Sequence, residues 1–158
     1  MKNIIVPKEG TRAQIYETII PQIESLVAGE EDLIANLANI TAVLKGALGF
    51  FWIGFYLVKG DELVLAPFQG TPACTRIKRG RGVCGAAWEQ ERALLVADVN
   101  KFPGHIACSS HSKSEVVIPI FRRGEVFAVL DIDSDKLDDF SQTDIEHLEL
   151  LADIVGKM

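Results

Sequence analysis

Apolar residues recur at three- and four-residue spacing over residues 11–28, where Ile15, Ile19, Ile20, Ile23, Leu26 and Val27 form one stripe. That period predicts an amphipathic helix, with Pro21 as a point where it breaks. Residues 31–48 repeat the pattern through Leu33, Ile34, Leu37, Ile40, Leu44 and Leu48, with Gly46 and Gly49 as stop signals. The two helices are expected to pair. The pattern then turns aromatic and β-branched over residues 50–58 and 63–68, on either side of Lys59-Gly60-Asp61-Glu62, which predicts a hairpin. Residues 93–97 form a short strand, and residues 116–121 and 126–130 a second hairpin across Arg122-Arg123-Gly124-Glu125. Near the end, Ser141 and Asp144 make a capping-box-like start, and Phe140 and Ile145 occupy the hydrophobic-staple positions. Ile145, Leu148, Leu151, Ala152 and Val155 then mark the buried face of a closing helix. Strands enclosed by helices predict an α+β domain, with a mostly antiparallel sheet, N- and C-terminal helices packed on one face and a ligand pocket on the other.

Composition narrows the function. The chain has 158 residues, 48% apolar, and no linker or repeat divides it, so residues 1–158 are read as a single domain. A formal net charge of −6 argues against nucleic acid as the main partner, because binding phosphates requires clustered positive charge. Residues 1–8 contain no signal-peptide apolar run and no segment is long enough to span a bilayer, which places the expected location in the cytoplasm. Three cysteines, an odd number, fit a disulfide framework poorly and fit reduced thiols better.

The chemistry concentrates in two connections, residues 69–92 and 98–115, which are long for a compact domain. They hold Cys74, Cys84 and Cys108 together with His105, His111 and Glu115. The two histidines flank Cys108 by three residues on each side, and an imidazole near a thiol raises its thiolate fraction. The same residues offer a zinc reading, which the absence of a Cys-x-x-Cys pair disfavours. Lys78-Arg79-Gly80-Arg81-Gly82-Val83-Cys84-Gly85 lacks the ending of a phosphate loop and reads as a tight turn into a helix containing Ala86, Ala87 and Trp88. Cys84 at that N-terminus is expected to feel its partial positive charge. In the last strand, a period of two sends Asp131 and Asp133 to one face and Leu130 and Ile132 to the other, so a ligand bound there should be a cation. Trp52 and Tyr56 share a face of the first strand, with Gly54 expected to leave a gap between their rings.

The segments Gly80-Arg81-Gly82-Val83-Cys84-Gly85, Gly104-His105-Ile106-Ala107-Cys108, Ser114-Glu115 and Leu130-Asp131-Ile132-Asp133-Ser134 together resemble the free methionine-(R)-sulfoxide reductases, single-domain enzymes of the GAF fold. The resemblance implies Cys108 as nucleophile and Cys84 and Cys74 as candidate resolving thiols. It implies Glu115, Asp131 and Asp133 as ligands of the substrate's amino group or sulfoxide oxygen, and Trp52 and Tyr56 as walls for the side chain. Because crowded carboxyl groups cannot all ionise easily, Glu115 or Asp133 is the expected proton donor. The expected substrate is free methionine-(R)-sulfoxide. No metal or other cofactor is expected, only an external dithiol such as thioredoxin; a homodimer is expected by analogy with GAF folds. Two other readings compete: a GAF-type ligand sensor, and a thiol redox sensor acting through a partner.

Overall fold

The computed structural model describes residues 3–158. Of the segment read as carrying no export signal, Met1 and Lys2 lie outside the described residues. The elements run α1 (Arg12–Val27), α2 (Leu33–Leu48), β1 (Trp52–Lys59), β2 (Glu62–Gln69), β3 (Arg76–Lys78), α3 (Gly82–Gln90), β4 (Leu94–Val96), β5 (Ser114–Arg122), β6 (Glu125–Ser134) and α4 (Gln142–Gly156). The six strands form one sheet in the order β3-β2-β1-β6-β5-β4, every pair antiparallel.

Local chemistry explains the boundaries. Thr11 starts α1: its hydroxyl accepts the Gln14 N–H, and Gln14 Oε1 accepts the Thr11 N–H at 2.8 Å. Pro21 does not break the helix. It sits at an exposed position, and Tyr16, Ile19, Ile20, Ile23 and Val27 are buried before and after it, so packing carries the helix through. Asp32 caps α2 by accepting the Ala35 N–H at 2.9 Å, and Gly49 ends it in the left-handed conformation, φ +68°. Gly46, expected as a stop, lies inside the helix. At the start of α4 the Asp144 carboxylate accepts the Ser141 N–H at 2.8 Å. Asp144 is fully buried there and also takes the Tyr16 hydroxyl at 2.7 Å and Arg12 at 3.1 Å, which joins α4 to α1.

The alternation of the strands assigns the layers. Ile53, Phe55, Val116, Ile118, Ile120, Ala128, Leu130 and Ile132 point to one face and pack with α1, α2 and α4 in the larger apolar cluster. Trp52, Tyr56, Val117 and Val129 point to the other face and pack with α3 and its neighbours in the smaller one. The second face carries α3 and the two long connections, with the expected pocket between them and the sheet. No helix among the described residues is long and apolar enough to cross a membrane.

Candidate active site

Strand register brings the carboxylates together. Glu115 of β5 stands opposite Asp133 of β6, and Trp52 of β1 stands opposite Asp133 from the other side. Asp131 lies between Val117 and Gly54 in the same register. The Gly54 position is tight: an added Cβ would lie 2.4 Å from the Phe68 Cβ and 2.5 Å from the Trp52 ring. The gap expected between Trp52 and Tyr56 is thus filled by the Trp52 indole itself, which lies over the glycine and stacks on Phe68.

Three cysteines converge on the same face. Cys84 enters from the first turn of α3, held close by Gly85, where a Cβ would come within 2.5 Å of the Lys78 carbonyl oxygen. Its Sγ is 3.9 Å from Glu115 Oε1. Cys74 and Cys108, from the two long connections, are joined in a disulfide with Cα atoms 5.3 Å apart. Cys84 is the free thiol. The Cys74 loop is pinned to the sheet, since the Tyr56 hydroxyl donates to the Cys74 carbonyl at 2.9 Å and the Trp52 Nε1–H donates to the Thr71 carbonyl at 3.0 Å.

Between these elements lies a cavity with about 560 Å³ of free space, open mouth included. Cys108, Cys84, Glu115, Asp131 and Asp133 line it, and Trp52 and Tyr56 form part of its wall. Ser112 also reaches it and donates its hydroxyl to Asp133. Nothing in the sequence pattern marked Ser112, because it lies in the loop before β5. His105 lines the cavity, where burial lowers its pKa. His111 instead faces the Phe51 ring at 5.9 Å and is absent from the cavity wall, so the expected pair of flanking imidazoles reduces to one.

The electrostatics follow from burying like charges. Burial, reinforced by the repulsion of Asp131, raises both Glu115 and Asp133 well above the usual carboxylate range. Asp131 is raised by burial to about 6, with hydrogen bonds from Glu115 and Cys84 holding it down, so it ionises first. Its Oδ1 is buried without a hydrogen-bond partner among the described residues. The Cys84 thiol is raised, first by burial and then by the three carboxylates, which reverses the expectation from its helix position. The partial charge of a helix N-terminus lowers a thiol pKa, but here burial and three nearby carboxyl groups outweigh it. The residues of the zinc reading do not gather as expected; instead Cys84 Sγ, a Glu115 oxygen and an Asp131 oxygen lie within 4.8 Å of one another.

Residues 32–157 match the GAF domain family. The chain is 60% identical over 141 residues to the GAF domain-containing protein A of Dictyostelium discoideum, covering 89% of each chain. It is 42% identical over 142 residues to the free methionine-R-sulfoxide reductase of Escherichia coli, covering 89% of this chain and 86% of the relative. The chain belongs to the free methionine-R-sulfoxide reductase family of GAF domains. A free methionine-R-sulfoxide reductase from Neisseria meningitidis, solved in complex with its substrate, superposes with a TM-score of 0.97 at 53% identity, covering 99% of this chain and 95% of the other. The GAF fold expected from the sequence is the fold found, and within this reductase family it supplies the acid-lined cavity and the disulfide at its rim.

Proposed function

We propose that the protein reduces free methionine-(R)-sulfoxide to methionine, and that the structure corresponds to the oxidised form reached after one turnover. The observation that carries this reading is the Cys74–Cys108 disulfide beside a cavity lined by three carboxyl groups. The Cys108 thiolate attacks the substrate sulfur and the oxygen is transferred to Cys108 as a sulfenic acid, releasing methionine. Oxide is an untenable leaving group, so an acid must protonate that oxygen. Glu115 and Asp133 are held protonated by burial, and Glu115, without a hydroxyl donor such as Ser112, is assigned the donation. Asp131 ionises first and its unpartnered Oδ1 receives the substrate's ammonium group. A residue inside a polypeptide has no such ammonium and would leave Asp131 buried and unpaired, which selects the free amino acid.

Cys74 then attacks the Cys108 sulfenic acid, forming the disulfide and releasing water. Cys84 takes no part in that bond, so Cys74 is the resolving thiol of the two candidates. An external dithiol, with thioredoxin as the natural candidate, reduces the disulfide by thiol exchange. Turnover of the free (R)-sulfoxide with dithiothreitol tests the reading. Cys108→Ser should lose turnover by more than about 10³-fold, as expected for removal of a nucleophile. Without reductant, Cys74→Ser should release one equivalent of methionine and leave a sulfenic acid that dimedone traps on Cys108. Full activity in Cys108→Ser would overturn the assignment.

A further inference from the structure

Cys84 is the nucleophilic group for which the reduction has no use. The disulfide joins the other two cysteines, and yet Cys84 is buried at the cavity wall rather than in the apolar core. Its sulfur shares a sphere of 4.8 Å with one oxygen each from Glu115 and Asp131. The three donors come from α3, β5 and β6, so three separate elements aim them at one point. All three side chains are buried at the cavity wall. Independently of the cluster's composition, Asp131 Oδ1 is buried without a hydrogen-bond partner among the described residues.

We propose that Cys84, Glu115 and Asp131 form a site for a thiophilic divalent cation of the zinc class, at the end of the cavity that also receives the substrate's ammonium group. One thiolate and two carboxylates with the cavity as a fourth, open position is a donor set suited to zinc. The sulfur selects against calcium and magnesium, which take oxygen ligands. The ligands bind in their deprotonated forms, so uptake of the ion releases whatever protons they hold, and its double charge replaces repulsion between them with attraction. Occupation leaves Asp131 unable to pair with an ammonium group, so the metal acts as an inhibitor competing with substrate. The competition rests on the function proposed above, whereas the binding itself does not.

The oxidised protein supplies the test, because closing the Cys74–Cys108 bond leaves Cys84 as the sole free thiol and no reductant is needed to sequester metal. Cobalt(II) titrated alone should give a thiolate-to-cobalt charge-transfer band that saturates at one equivalent and is abolished by zinc. Cys84→Ser, with near-ultraviolet circular dichroism confirming its fold, should lose the band, and Asp131→Asn should weaken zinc binding by more than about tenfold. Added free methionine should raise the apparent zinc dissociation constant several-fold more than the same concentration of alanine, which chelates the free ion equally. Absence of the band in folded wild-type protein, or its persistence in Cys84→Ser, overturns the site. A methionine effect no larger than that of alanine overturns the competition, and turnover of the free sulfoxide measured separately on metal-free protein tells that result from a failure of the proposed reduction.

Discussion

On the helix-covered face of β6, Ala128, Leu130 and Ile132 are fully buried among apolar side chains; on the opposite face Asp131 and Asp133 stand beside Glu115. The same strand thus runs through two interiors, one that follows the hydrophobic rule and one that violates it three times within a few ångströms. The first interior stabilises the domain, since each buried Leu or Ile contributes roughly 1.5–3 kcal/mol relative to exposure. The second costs stability in exchange for a site poised for a cation, as expected where function is built against the local preference.

Asp131→Asn is the strongest way to break the contrast. The change removes the ammonium's partner, and KM for the free sulfoxide should rise by more than about 100-fold, since breaking a buried ion pair costs about 3–5 kcal/mol. Stability should move the other way. The folded state holds the Asp131 proton up to about pH 6 and the unfolded chain only to the ordinary 3.8, so unfolding free energy falls as pH rises through that window. The loss amounts to about 3 kcal/mol, and denaturant titrations between those pH values should show Asp131→Asn flattening this part of the slope.

The helix-covered face should respond in the opposite sense. Leu148 of α4 is fully buried in the larger cluster, so Leu148→Ala should cost about 2–5 kcal/mol in chemical denaturation while leaving KM within about twofold. A large change in KM from that residue would dissolve the distinction between the faces. The smallest effect is expected from Tyr56→Phe, which keeps the ring in the cavity wall and removes the hydroxyl bond to the Cys74 carbonyl. That bond is worth about 1 kcal/mol, so disulfide closure should slow several-fold, seen as a longer-lived sulfenic acid in quenched-flow trapping.

Wherever a residue's role depends on its own strand or helix period, the sequence carried it. The alternation at residues 130–133 placed Leu130 and Ile132 on one face and Asp131 and Asp133 on the other, and the Ser141/Asp144 pair marked the start of α4. Residues whose role depends on a partner elsewhere were not legible. β3 spans three residues with one buried side chain, Ile77, too short for a period to show. The indole over Gly54, the hydroxyl of Ser112 on Asp133 and the raised Cys84 thiol each arise from contacts between distant segments. The choice of Cys74 over Cys84 as partner for Cys108 is of the same kind, for both were in reach on sequence grounds and only the fold brings one loop against the other.

The bond between Cys74 and Cys108 closes a sequence separation of 34 residues, and tying off a loop of that length removes enough freedom from the unfolded chain to favour the folded one by up to about 4 kcal/mol. Each catalytic cycle therefore alternates between a looser thiol form and a tougher bridged one. A cell short of reducing power would accumulate the tougher form, so the protein is hardest to unfold and degrade while it waits for electrons.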